Sequence, residues 1–398
     1  MLKLYTNIFG KLYYGILAMC AMGIFSEKIF AEKIVFDFYQ APIEIEVNEL
    51  QYFELQTPIN ESNIGIYYEN LERSNYWNVL YQLLAYKNQL ILNDWLYYRL
   101  INDTAEQIYK EKADKYKVLF AWYMLAKSGY SVQINYSDDK LFLSVYSLQK
   151  IYDLPIKEYK EGWLVEISHY GEPLKSPYLA TTRLNLNISN FGSPFDFNLT
   201  QLPNLPKSVE RVSLQFTCFG EMHKVDVDIN RTMVQLMYAY PEGGLDAHTN
   251  VPMSEETEES LMTYFREMLS NYDTPTAVRC LLSFTRQSFE YRSDSSLYRI
   301  ANVSFTPEET LYYQFSDCED RSILFASLVR ELLGLPVILV EFDGHAGVGV
   351  ALENPVGEAI YFQGIAYTYC DPTSSDDSLP LGAFPKNVSH ASYKVLLP

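Results

Sequence analysis

Cysteine is scarce, with 5 in 398 residues, too few and too scattered for a disulfide scaffold. Positive charge is in short supply as well. The 31 Lys and Arg stand against 50 Asp and Glu, a net charge of -19. That balance excludes nucleic acid as a partner, because phosphate binding needs clustered cations. Histidine occurs 5 times, and His169, His223, His248 and His390 show no metal-ligand spacing with one another or with a cysteine pair. There is no glycine-rich phosphate loop and no dinucleotide fingerprint, so no cofactor is implied. Beyond the N-terminus no stretch approaches the ~20 uninterrupted apolar residues of a spanning helix.

What is present begins with an export signal. Lys3 and Lys11 precede an uncharged apolar run from Leu12 to Phe25, and Ala31 ends a plausible cleavage site. Residues 1–31 read as a secretory signal peptide, which places the mature chain in the periplasm, outside the cell or at its surface. Leu17-Ala18-Met19-Cys20 loosely resembles a lipoprotein box, but methionine before the cysteine fits it poorly.

The length implies two or three domains. Residues 32–168 read as an α/β domain: alternating strands over 33–56, helical periodicity from Tyr76 to Ala126, then strands over Ser131–Tyr136 and Lys140–Tyr146. Residues 169–245 read as a small antiparallel, sandwich-like β-domain that includes a strand over Met233–Tyr240. Pro241-Glu242-Gly243-Gly244 breaks the chain, and 246–398 forms a third, α+β domain that starts with a helix near Ser254. Asp103-Thr104-Ala105 and Asp377-Ser378-Leu379 resemble O-glycosylation acceptor sites.

The chemistry concentrates in residues 314–346. Ser316 and Asp320 signal a helix start, a long apolar run from Ile323 to Leu333 follows, and Gly334 and Pro336 stop it. Val337 to Phe342 reads as a buried strand that turns at Asp343-Gly344 into a second strand starting at His345. Cys318 falls in the first turn of the helix, where unpaired N–H groups and the helix dipole favour a thiolate. Asp371 follows on a later strand. Cys, His and Asp on helix, strand and strand form the arrangement for nucleophilic thiol catalysis. Acids at 317, 319 and 320 oppose it, since nearby negative charge raises a thiol pKa.

Asp317-Cys318-Glu319-Asp320-Arg321, then Leu333-Gly334, then Gly344-His345-Ala346-Gly347-Val348-Gly349-Val350, then Asp371-Pro372-Thr373 together resemble the bacterial transglutaminase-like superfamily over roughly residues 260–385. The tryptophan those domains often carry shortly before the aspartate is replaced here by Ile365-Ala366-Tyr367-Thr368-Tyr369-Cys370. The resemblance implies a papain-like fold with Cys318 as nucleophile, His345 as base and Asp371 as orienter. Gln314, with Tyr312 second, is the expected side-chain donor of the oxyanion hole. A second, degenerate copy is expected near 76–168. At an offset of 205 residues, Leu119-Phe120-Ala121 overlies Leu324-Phe325-Ala326, and Gly129, Val132 and Val145 overlie Gly334, Val337 and Val350. Ala113 and Lys140 then replace Cys318 and His345, and Glu166 is expected in the acid's place.

The chain thus reads as an exported cysteine peptidase or amidase that acts on protein or peptide, with cell-wall peptide among the candidate substrates, and without a metal. The rival reading is a catalytically silent binding or scaffold protein of the cell envelope. A third reading places a metal on Asp343, His345 and Asp371.

Overall fold

The computed structural model describes residues 32–47, 53–137, 140–170, 182–183, 192–293, 304–374, 379–386, 388 and 392–398. The expected signal peptide, Cys20, His390 and Ser378 lie outside them. The protein is mixed α+β, with helices packed on antiparallel sheets. Among the described residues no helix is long and apolar enough to cross a membrane.

The first half opens with an antiparallel hairpin, β1 (Glu32–Phe38) and β2 (Ala41–Val47), whose strict alternation buries Ile43, Ile45 and Val47. Four helices follow: α1 (Glu61–Arg73), α2 (Tyr76–Gln89), α3 (Asp94–Ile108) and α4 (Asp114–Lys127). The first of them lies ahead of the expected helical region. Asn60 and Asn93 cap α1 and α3 by accepting from Asn63 and Leu96 N–H groups. The α4 helix is buried nearly all round from Val118 to Leu125 and packs on a five-stranded sheet. That sheet comprises β3 (Val132–Ser137), β4 (Lys140–Ser147), β5 (Ile156–Tyr159), β6 (Gly162–Glu166) and β7 (Thr182–Arg183), in the order β5-β6-β4-β3-β7. Thr104 is fully buried in α3, where its hydroxyl donates to Leu100 O at 2.8 Å, so it is not a surface glycosylation acceptor.

The expected β-domain over 169–245 is not what its described residues form. They contribute β7 to the first sheet, the antiparallel pair β8 (Val209–Cys218) and β9 (Glu221–Asn230), and a helix, α5 (Arg231–Tyr238), where a strand was expected. Asn230 caps α5 through Thr232 N–H, and Met233, Val234, Leu236 and Met237 are buried at helical spacing. The β8–β9 pair buries Val212, Leu214, Phe216 and Cys218 in the second core rather than in one of its own.

That core is built by α6 (Leu245–Thr249), α7 (Glu255–Leu269), α8 (Thr274–Gln287), α9 (Pro307–Tyr313) and α10 (Cys318–Leu333), with the short parallel pair β10 (Glu290–Tyr291) and β11 (Phe315–Ser316). Beneath α10 lies a second five-stranded sheet: β12 (Val337–Phe342), β13 (His345–Val350), β14 (Ala359–Phe362), β15 (Ile365–Cys370) and β16 (Lys394–Leu396). Its order is β14-β15-β13-β12-β16, the same as in the first sheet. The offset of 205 residues also holds in the register: Val132 pairs Val145 as Val337 pairs Val350, and Ser137 pairs Lys140 as Phe342 pairs His345. One strand further on it fails. Val145 pairs Val165, whereas Val350 pairs Thr368, so the offset drops to 203. Glu166 therefore takes the register position of Tyr369, and Ser168 that of Asp371, which corrects the expected place of Glu166.

A disulfide joins Cys218 of β8 to Cys280 of α8, while Cys318 and Cys370 are free. Cys370 is buried on the helix-facing side of β15, as strand alternation requires.

Three successive backbone donors lead into α9, each held by a different buried carboxylate. Ser304 N–H donates to Glu242 at 2.9 Å, Phe305 N–H to Asp320 at 2.7 Å and Thr306 N–H to Glu309 at 3.0 Å. Burial pushes the Glu309 carboxyl from 4.5 up to about 7, with Glu242 adding to the rise and Thr306 and His248 opposing it. A carboxyl raised by folding stabilises the fold fully below its unfolded value and loses that contribution as pH rises through the folded value. Glu309→Gln, which preserves the capping geometry, is thus expected to flatten the loss of stability between pH 5 and pH 8 by on the order of 2 kcal/mol. Urea unfolding across that range is the check, and parallel pH profiles for the two proteins would contradict the assignment.

Candidate active site

The helix that carries Cys318 starts one residue later than the sequence suggested. Asp317, not Ser316, is the N-cap. Its carboxylate accepts from Glu319 N–H at 2.8 Å and Asp320 N–H at 3.3 Å, and Asp320 answers by accepting from Asp317 N–H at 3.0 Å. This capping box fixes the first turn, so Cys318 is held at the first helical position. Gly334 stops the helix with a left-handed φ of 64°, a conformation that suits glycine because it has no Cβ.

The β12–β13 hairpin turns at Asp343-Gly344 and presents His345 as the first residue of β13. Its Nε2 lies 3.0 Å from Asp371 Oδ2, and both side chains are largely or wholly buried. The other oxygen of Asp371 accepts from Thr373 N–H at 2.8 Å, Thr373 hydroxyl at 2.7 Å and Ser374 N–H at 3.0 Å. Burial alone would raise this carboxyl, but the bonds from His345 and Thr373 and the imidazole's charge outweigh it and hold Asp371 below the usual carboxylate range. Arg286 of α8 ties the loop down by donating to Asp371 O at 2.9 Å and Leu379 O at 3.2 Å. With Nε2 committed to Asp371, Nδ1 is the imidazole nitrogen left for a reacting group.

The Cys318 sulfur lies against the backbone N–H of Ala346, the residue next to His345, and that donor favours the thiolate. The larger effects run the other way. Burial first, then the charges of Asp317 and Glu319, push the Cys318 thiol up to about 12. Helix N-terminus and acidic neighbours thus compete, and burial with the acids wins. The thiol rests protonated.

Two further residues stand at the site without having been singled out by the sequence. Tyr369 is fully buried, its ring stacks on Phe384 with centroids 4.2 Å apart, and its hydroxyl lies beside Asp371 without a hydrogen-bond partner in good geometry. Tyr291 is half-exposed and sits over the buried Arg321 guanidinium, close enough to Asp317 for its charge to raise the hydroxyl beyond the larger effect of burial. Arg321 in turn donates to Ser316 Oγ at 2.9 Å and Phe289 O at 2.6 Å. Strand alternation could have put Tyr369 on the face of Asp371, but among 34 tyrosines nothing marked it out.

The glycines of the His345 strand make room for these aromatics. A Cβ at Gly347 would come within 2.7 Å of the Tyr369 ring, and one at Gly349 within 2.6 Å of Ile338 Cγ1. Gly347→Ala is expected to cost about 1–3 kcal/mol through overpacking and to displace Tyr369 from Asp371. A thermal melt measures the first effect, and an unchanged melting temperature would show that the ring has room to yield.

Gln314 and Tyr312 are placed less directly. Gln314 ends α9 in a left-handed conformation, is exposed, and uses its main chain to accept from Glu290 N–H at 3.1 Å. Tyr312 is half-buried against Tyr313. Among the described residues no hydrogen bond joins either side chain to Cys318. Nor are any three His, Cys, Asp or Glu side chains among the described residues placed to hold a metal ion, so the arrangement of Asp343, His345 and Asp371 does not form a metal centre. In the first half, the positions equivalent to the site hold Ala113, Lys140 and Ser168. Glu166 there accepts from Ser168 N–H at 2.8 Å and His169 Nδ1 at 3.2 Å, with no thiol in the set.

No protein-family model, no curated protein and no solved structure matches the chain.

Proposed function

We propose that the protein is an exported thiol hydrolase of transglutaminase-like type that acts on amide bonds in protein or peptide. The observation that carries this reading is the buried His345–Asp371 hydrogen bond, set one residue from the N–H that faces the Cys318 sulfur. The helix on an antiparallel sheet, with Cys318 at the helix start and His345 at a strand start, supports a papain-like catalytic fold. The Cys218–Cys280 disulfide supports an oxidising compartment.

In this mechanism the protonated thiol gives its proton to His345 Nδ1 as sulfur attacks the amide carbonyl. Asp371 holds Nε2–H and stabilises the imidazolium. The carbonyl oxygen takes the electron pair and accepts from Cys318 N–H. Collapse expels the amine with the proton from His345 and leaves a thioester on Cys318. Water then attacks, returning a proton to His345 and then to the sulfur as the acid departs. Gln314 remains the side-chain donor assigned to the oxyanion, with Tyr312 second.

One observation favours the rival reading of a silent binding or scaffold protein, namely the rise of the Cys318 thiol under burial and two acids. Reaction with p-nitrophenyl acetate separates the two. A hydrolase releases a burst of p-nitrophenolate and carries acetyl on the Cys318 peptide, and both vanish in Cys318→Ser. Steady background release, equal in the variant and without acetyl on Cys318, would favour the scaffold.

A further inference from the structure

A cavity of about 320 Å³ lies between the two halves, lined by the segment after β4, by Phe197 and Leu199, by α6 and by β16. Neither Cys318, His345 nor Asp371 lines it. Its volume is within the range of small-molecule sites. We propose that this cavity binds a short peptide-like ligand that ends in a free carboxylate. The proposal does not depend on the hydrolase reading.

Three features carry it. His248 lines the cavity and is 7% exposed, yet its Nδ1 has no hydrogen-bond partner while Nε2 faces Glu242 at 3.4 Å. A buried polar atom left unpaired costs stability unless something satisfies it, and Nδ1, which has no accessible surface with the ring as placed, meets a ligand amide N–H once the ring shifts toward the cavity. Lys150, also in the lining, packs its ammonium over the rings of Tyr152 and Trp163 at 5.0 and 5.5 Å and has no carboxylate partner among the described residues. With a chain charge of -19, a lysine left without a counter-ion beside a cavity is an unusual anion-directed group. The remaining wall is largely apolar, through Phe197, Leu199, Met237, Val251 and Leu396, which suits an uncharged side chain. Lys394 adds a second cation at the wall, shared with Glu341 at 3.5 Å, and Asp246 offers an acceptor for a further ligand N–H.

The test uses the full chain with N-acetyl-phenylalanine and its carboxamide as probes, followed by calorimetry and by chemical shifts of the His248 ring. The carboxylate is expected to bind at least about tenfold tighter than the amide, the worth of one charge-assisted hydrogen bond, and to move the His248 signals. Lys150→Gln with Lys394→Gln, both surface changes, should erase that preference without altering the melting temperature. Absence of binding, equal binding of the two probes, or a preference that survives the double substitution would overturn the proposal.

Discussion

Asp371→Asn is expected to cut acetyl transfer to Cys318 by about 10³-fold while leaving the protein folded. The reason lies in the division of labour between the two carboxylate oxygens. One accepts three donors from the Thr373–Ser374 loop and the other accepts from His345 Nε2. An asparagine has a single acceptor oxygen, and three loop donors outbid one imidazole donor for it. The amide nitrogen then faces His345, which must present a lone pair at Nε2 and carry its proton on Nδ1. That tautomer cannot accept a proton from the thiol. Asp371→Ala should lose comparable activity but also stability, because it strands the loop donors. The aspartate's own folded pKa is depressed, so it stabilises the fold above the unfolded value of 3.8 and loses that contribution as pH falls through its lower folded value. The asparagine variant should lack this acid limb. Rates in the asparagine variant equal to those of the parent would show that His345 needs no orienting carboxylate.

The second large effect is expected from the disulfide. Cys218 and Cys280 close a loop of 62 residues, with both residues buried in the second core. Cross-linking a loop of that length stabilises by about 2–5 kcal/mol, mainly by restricting the unfolded chain. The double variant Cys218→Ala, Cys280→Ala should lose stability of that size in urea, and a reducing agent should bring the parent to the same midpoint. Because the bond ties β8 to α8, and Arg286 of α8 holds the Asp371 loop, the reduced protein should also lose acetyl transfer before it loses helical signal. A midpoint insensitive to reduction would mean that hairpin and helix are held by packing alone.

The site was more legible in the chain than the architecture around it. Gly334, Pro336 and Asp343-Gly344 punctuate α10, β12 and β13 so sharply that strand and turn fall where the sequence put them. These signals are local, resting on backbone conformations few residues adopt. The α5 helix is not legible in the sequence because Met233, Val234, Leu236, Met237 and Tyr238 suit either a strand or a helix over a short window, and only packing decides. The β8–β9 pair alternates as expected, but alternation tells which face is buried and not against what. The offset of 203 at β6 depended on a connection two residues longer than its counterpart, a register fact set by pairing rather than by composition. Tyr369 needed the close approach of Gly347 to reveal its place.

The central claim is that His345 activates Cys318, and the rate of Cys318 alkylation against pH tests it most directly. Cys218 and Cys280 are occupied in their disulfide and Cys370 is buried, so in protein that starts after the expected signal peptide, and thus lacks Cys20, a mild haloacetamide reads one thiol. The account predicts rapid alkylation of the parent well below the thiol's own value of about 12, because His345 takes the proton as the sulfur attacks, and its loss in His345→Ala, where reactivity should rise only at strongly alkaline pH. Superimposable profiles for the two proteins, both slow until alkaline pH, would contradict the account and leave the fold as a binding scaffold.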